Sequence, residues 1–263
     1  MTTITNDGLL AVSERLGVQT LPVALAVAPR QDSYDEWMVA QRRVTAELTR
    51  SGVIDAHGEV EPDLADALHI LAQPDRELAA RVYGTTSGVR RICLARRGGA
   101  HALAVRTEDG FDVQPVWADG GGQPLVRALL AILGPGRPAE VVAFSALSSE
   151  LSERLAAALD SADYADAVYA LGVADRDATA YGMAFAACHT YAEIVAEVHE
   201  DGTTTRSPGA VAVYDTGRGR IVAAPGIAPD QQVWSTVTPG TDHRIAQAVS
   251  ALIETLPVGR WLL

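Results

Sequence analysis

Gly219-Arg220-Ile221-Val222-Ala223-Ala224-Pro225, then Trp234-Ser235-Thr236-Val237-Thr238-Pro239-Gly240, then Arg244 to Leu256-Pro257-Val258-Gly259-Arg260-Trp261: this C-terminal stretch decides how the chain reads. It holds two short strands ending at proline, a Pro-Gly break, a helix and an aromatic tail. Ile245, Ala248, Val249, Leu252, Ile253 and Leu256 recur at helical spacing and form one apolar stripe. Thr241 stands where a hydroxyl caps the first turn, and Pro257 ends the helix because its ring cannot continue the ladder.

Upstream, Tyr191 to Val198 turns through Glu200-Asp201-Gly202, and Ala210 to Tyr214 follows, so four strands precede the helix. The same plan occurs earlier in the chain. Arg76 to Tyr83, Arg91 to Arg96, His101 to Arg106 and Phe111 to Trp117 are strand-like. A Gly-Thr-Thr-Ser-Gly loop and a Gly98-Gly99 turn separate the first three, and Gly120-Gly121-Gly122 leads into a helix from Leu125 to Leu133. Helices are predicted over Asp35 to Leu48 and Asp63 to Leu71 ahead of the first set. Ser149 to Leu159, Tyr164 to Leu171 and Ala178 to Ala187 are predicted ahead of the second. The pattern predicts an α/β (α+β) protein of two pseudo-twofold-related subdomains, residues 1–135 and 136–263. Each is an antiparallel meander followed by a helix, with helices before it, and together they make one domain. Duplication of one unit is the simple cause.

Composition narrows the function. The chain has 263 residues, 48% apolar and 5% aromatic, enough for a substantial core of Ala, Val and Leu. Its net charge of −12 repels a phosphate backbone, so nucleic acid is not an expected partner. Met1 to Asp7 is polar and no apolar run reaches the roughly 18 residues of a membrane span, which places the expected location in the cytoplasm. Cys93 and Cys188 sit among apolar neighbours and read as small buried hydrophobes without a disulfide.

No catalytic or metal constellation emerges. The six histidines lack a His-x-x-x-His spacing, and His199-Glu200-Asp201 runs into Gly202 as a hairpin tip. Gly120-Gly121-Gly122 lacks the Lys and Ser/Thr of a phosphate loop and stands beside Asp119, so it reads as a turn. No nucleophile elbow is present, and the adjacent Cys188 and His189 diverge on a helix. The expectation is no cofactor, no metal and no catalysis.

The strand faces say more. From Tyr191 to His199, Ala192, Ile194, Ala196 and Val198 form one apolar face, while Tyr191, Glu193, Val195, Glu197 and His199 form a mixed one. Trp234, Thr236 and Thr238 present a similar mixture. Such a face is either an ordinary half-exposed sheet or the floor of a binding groove.

Several segments in order resemble one family. Leu9-Leu10, Gly17-Val18 and Leu21-Pro22 resemble an opening helix and strand, and Ala40-Gln41-Arg42 to Ser51-Gly52-Val53-Ile54 the helix that follows. Leu94-Ala95-Arg96-Arg97-Gly98-Gly99 with Ala104-Val105-Arg106 resembles an Arg-Arg-Gly hairpin. Tyr191-Ala192-Glu193-Ile194-Val195-Ala196 resembles the first strand of the second half. With the C-terminal stretch, the chain is similar to the EspG family, cytosolic chaperones of the mycobacterial type VII (ESX) secretion systems. Arginine at all 21 basic positions fits an actinobacterial, GC-rich source.

The resemblance implies binding to the apolar tip of the PPE subunit in a PE/PPE heterodimer, keeping it soluble and targeting it to the ESX machinery, without cofactor or catalysis. It implies a free protein that is a monomer or weak homodimer. By position it places the contact on Glu193, Val195, Glu197, His199, Asp201, Thr204, Arg206, Val211, Val213, Trp234 and Thr236. Two rivals stand beside it. One is a small-molecule-binding protein or enzyme using the cleft between subdomains; the other is a homodimer whose exposed sheet face pairs with itself.

Overall fold

The computed structural model describes residues 2–84, 88–117, 122–256 and 261. The N-terminal part runs β1 (Thr2–Ile4), α1 (Asn6–Arg15), a 3-10 turn (Val23–Leu25), α2 (Tyr34–Ser51), α3 (Pro62–Ala72), β2 (Arg76–Gly84), β3 (Gly88–Arg97), β4 (Ala100–Arg106), β5 (Phe111–Val116) and α4 (Gln123–Leu133). The C-terminal part runs β6 (Phe144–Leu147), α5 (Ser148–Ala157), α6 (Ser161–Ala170), α7 (Asp175–Ala186), β7 (Cys188–Glu200), β8 (Thr203–Arg206), β9 (Val211–Thr216), β10 (Gly219–Ile227), β11 (Val233–Pro239) and α8 (Asp242–Glu254).

Among the described residues the strands form one sheet, ordered β1-β5-β4-β3-β2-β7-β9-β10-β11-β6, with β8 paired only to β7. The two predicted meanders are there, β2 to β5 and β7 with β9 to β11. They join through their first strands, so the order reads outward from the centre alike on both sides. The central pair is antiparallel from Arg76 opposite Val198 to Gly84 opposite Thr190. Joining hides the two edges that would otherwise offer unpaired backbone groups.

Side-chain alternation then decides what each face packs against. Leu78, Ala80 and Val82 of β2 and Ala192, Ile194, Ala196 and Val198 of β7 point to one face. There they meet Leu125, Val126 and Leu129 of α4 and Ile245, Ala248, Val249, Leu252 and Ile253 of α8. Each Leu, Ile or Val among them contributes about 1.5–3 kcal/mol on burial. Thr241 caps α8 as expected, its hydroxyl accepting from the Arg244 N–H. Gly122 opens α4 at φ +71°, a backbone conformation that favours glycine, and a Cβ there would press on Leu78 at 2.8 Å and Val249 at 2.9 Å.

The opposite face carries two separate helical layers. On the N-terminal side, Cys93, Ala95, Ala102 and Ala104 pack with Leu64, Leu68 and Leu71 of α3 and Leu9 and Val12 of α1. On the C-terminal side, Ile221, Ala223 and Val237 pack with Tyr181 and Phe185 of α7 and Val168 of α6. Between these layers no α-helix among the described residues covers the face of β2 and β7.

Arg220 ties the C-terminal half together. It is fully buried, donates to Asp215 at 2.9 Å and to the Gly134 carbonyl at 3.1 Å, and so links the β9–β10 hairpin to the end of α4. Gly240 passes so close that a Cβ there would lie 2.7 Å from Arg220 Cγ. The Pro-Gly break of the sequence is therefore a packing requirement as well as a turn.

The strand expected around Leu21-Pro22 is absent. Pro22 lacks the N–H that a ladder needs, and the segment turns into the 3-10 turn instead. The strand of this region is β1, which pairs with β5 through Thr2 opposite Val113 and Ile4 opposite Phe111. The edge strands β6 and β8 are too short for their patterns to stand out from loops. Gly120, Gly121, residues 85–87 and Pro257, where the sequence predicts loops and a helix end, lie outside the described residues.

Candidate functional site

The helix-free centre forms a groove whose floor comes from both halves. Glu77, Ala79 and Arg81 of β2 stand directly opposite Glu197, Val195 and Glu193 of β7. One compartment, about 490 Å³, is walled by Thr20 to Ala24, by Leu71, Ala72 and Pro74, and by Thr204 and Arg206 of β8. A second, about 730 Å³, continues toward the other half, between the start of α5 and the Ser207 to Ala210 loop, over Ala212, Tyr214 and Ser235. Glu193, Val195 and Arg206 line both, so the two are parts of one surface.

Chemically the floor has three zones. In the middle, Ala79 and Val195 pack with Ala24 and Ala210 in a small apolar strip, and Val195 is only 8% exposed. At one end stands an aromatic row. Tyr83 and Tyr191 stack with ring centroids 6.0 Å apart, Tyr191 approaches Tyr214 at 5.1 Å, and Tyr214 meets Phe185 edge-on at 5.0 Å. Burial and then the Glu193 carboxylate push the Tyr191 phenol up to about 12, so it stays a neutral donor at any physiological pH.

The other end is charged. Glu197 faces Arg206 at 3.7 Å, and His199 Nε2 lies 3.8 Å from Glu77, whose side chain is 6% exposed. His199 Nδ1 is 3.0 Å from the Thr204 hydroxyl across the β7–β8 hairpin. The Glu77 carboxylate, aided by Glu197 and Asp75 and opposed by desolvation, raises the His199 pKa above its usual value. Burial and Glu77 together push the Cys93 thiol up, which makes it an inert core group, as its neighbours suggest.

Of the site residues expected from sequence, Glu193, Val195, Glu197, His199, Thr204 and Arg206 line this groove. Asp201 does not; it occupies the β7–β8 turn at φ +49°, beside Gly202. Val211 and Val213 must be corrected. Both are fully buried on the opposite face, in the core that α8 covers. Trp234 and Thr236 also point to that face, since they pair with Gly226 and Ala224 while Ser235 and Val237 alternate to the groove side.

The cause is parity. A one-residue difference in which alternate set faces inward moves every side chain across the sheet. On β9 both sets, Val211 and Val213 or Ala212 and Tyr214, are apolar, so composition does not choose. The β7–β9 register chooses, by setting Ala212 opposite Glu193 and Tyr214 opposite Tyr191. The groove residues missed are thus Ala210, Ala212, Tyr214, Val233 and Ser235, together with Glu77, Ala79, Arg81 and the Thr20 to Ala24 wall. For β2 a signal existed, because Glu77 and Arg81 alternate with Leu78, Ala80 and Val82 as plainly as on β7.

The described residues hold no helix long and apolar enough to cross a membrane. The family model described as the EspG family matches residues 5–251. Among curated proteins, the chain is similar to the ESX-1 secretion-associated protein EspG1 of Mycobacterium tuberculosis. The two are 31% identical over 272 residues, covering 98% of this chain and 88% of the relative. It is 29% identical to the ESX-3 secretion-associated protein EspG3 of Mycolicibacterium smegmatis, with 98% and 88% covered. Among solved structures it resembles the Mycobacterium tuberculosis type VII secretion system chaperone EspG5, determined in complex with a PE25–PPE41 dimer. The TM-score is 0.80 at 20% identity, with 99% of this chain and 98% of that one covered, which shows a shared fold.

Proposed function

The chain belongs to the EspG family, and from that premise we propose that it is a cytoplasmic secretion chaperone whose central groove holds the apolar tip of a PPE-type subunit in a PE/PPE heterodimer. Holding that tip keeps the pair soluble and delivers it to a type VII (ESX) secretion system. The protein acts by binding and not by catalysis.

One observation carries the reading. Among the described residues, the stretch of the central strands that no α-helix covers has an apolar strip, Ala79, Val195, Ala24 and Ala210, framed by tyrosines at one end and by Glu, His and Arg at the other. An apolar middle with a polar frame is the composition of a protein-binding surface, where the middle supplies affinity and the frame supplies orientation and exclusion of wrong partners. A partner with an apolar tip and polar shoulders fits it.

The test is a calorimetric titration of the purified chain with a PE–PPE heterodimer. The expected complex has one copy of each of the three chains. Val195→Arg puts a charge under the desolvated tip and lowers affinity at least tenfold while the circular dichroism spectrum stays native. Trp234→Ala, on the far face, leaves affinity within about twofold, as expected for a side chain outside the contact. Wild-type affinity in a natively folded Val195→Arg variant would place the contact elsewhere.

A further inference from the structure

We infer that Glu77, Glu197 and His199 form a binding site for a divalent transition-metal cation of the Zn2+ class, at the charged end of the groove. One ligand atom from each lies within 4.8 Å of the other two. The three come from neighbouring strands of the rigid centre of the sheet, β2 and β7, so the constellation is held by backbone pairing rather than by a loop.

Two features of this end of the groove suit a bound cation in addition to Arg206. The first is the carboxylate pair. Glu77 and Glu197 are directly opposite in the ladder, where like charges repel, and Glu77 is too buried for water to screen it. The second is His199. Its Nε2 is buried without a hydrogen-bond partner, and at 3.8 Å from Glu77 it is beyond hydrogen-bond reach. Its Nδ1 is meanwhile engaged by the Thr204 hydroxyl. An imidazole with one nitrogen fixed by a hydrogen bond and the other aimed at two carboxylates is how metal-binding histidines are oriented.

The donor set selects the ion. One imidazole nitrogen and two carboxylate oxygens suit Zn2+ and its neighbours in the first transition row, and suit Ca2+ and Mg2+, which prefer all-oxygen shells, poorly. Metal–ligand bonds of about 2.0–2.2 Å bring the three atoms to roughly 3.4 Å from one another, a closure within the reach of side-chain torsions. Three protein ligands leave a fourth position open. Arg206, 3.7 Å from Glu197 and more than half exposed, is the competing cation and swings out when the metal enters. The sequence conceals this site because Glu77 lies far upstream of Glu197 and His199, and only the β2–β7 pairing brings it to them.

The test uses the full-length protein stripped of metal with a chelator. Zn2+ is titrated in by calorimetry, and Co2+ is followed by its visible absorption bands. One saturable site per chain is expected, with Co2+ bands of a low-coordinate N/O environment. Glu77→Gln and His199→Gln each lower Zn2+ affinity at least tenfold, and Arg206→Gln raises it. Zn2+ raises the melting temperature of the wild type and not that of Glu77→Gln, whose near-isosteric amide keeps the fold. Absence of saturable binding up to millimolar metal, or equal binding by wild type and both ligand variants, would overturn the assignment. The second result would trace the metal to surface histidines instead.

Discussion

His101 shows how one residue's surroundings become a property of the whole protein. It is buried beside Arg96, with the Trp261 ring 6.3 Å away and nearly parallel. Burial, and then the Arg96 charge, lower its pKa below the usual 6.5, against a smaller opposite pull from Asp75. The unfolded chain therefore takes up the proton first as pH falls. The resulting stability is fully present above about 6.5 and is lost as pH drops from there through the lower folded value. His199, with its raised pKa, works in the other direction: its contribution is present below the unfolded value and fades as pH rises through the folded one. His101→Gln should flatten the loss of urea-unfolding stability between pH 7 and 5 relative to wild type. An unchanged pH slope would mean that His101 takes up its proton as readily in the folded protein as in the unfolded chain. At this scale the sequence is least legible. It places His101 in a strand, but Arg96 and Trp261 reach it only through the β3–β4 register and the returning C-terminus.

Elements are easier to read, and their ends carry measurable energy. Replacing Thr241 by Ala removes the hydroxyl that accepts from Arg244 N–H and should cost about 1 kcal/mol in a denaturant titration with an unchanged slope. Arg220→Ala should cost more, about 3–5 kcal/mol, because it leaves the buried Asp215 carboxylate without its partner. If Arg220→Ala proves no worse than Thr241→Ala, water or another cation has replaced the guanidinium. The helices and the long strands were legible because each has a stripe or an alternation long enough to declare its period, as in Ile245 to Leu256 or Ala192 to Val198. The strands β1, β6 and β8 were not, being three or four residues long. Pro22 explains the expected strand that does not form. Val211, Val213, Trp234 and Thr236 face away from the groove for a reason at the same level, since strand existence is local information and strand parity is not.

For the whole molecule, the organising fact is that the two meanders meet at their first strands, which places β2 and β7 at the centre and leaves their shared face between the two helical layers. The sequence shows two similar plans and one mixed face on β7, and from these the existence of a groove floor is legible. On β2 Glu77 and Arg81 alternate with Leu78, Ala80 and Val82 in the same way, but that this face continues the β7 floor follows only from how the plans join. An apolar strip with a charged rim predicts partner binding that changes less than about tenfold between low and moderate salt, since rim charges mainly tune the association rate. A hundredfold loss would mean recognition dominated by charge. The most direct test of the groove as the partner site is amide hydrogen exchange of the chain alone and saturated with a PE–PPE heterodimer. New protection is expected in the rim segments, Thr20 to Ala24, Thr203 to Arg206 and Ser207 to Ala210, with no change along α4 and α8. Protection along α8 with the rim segments exchanging as in the free protein would contradict it.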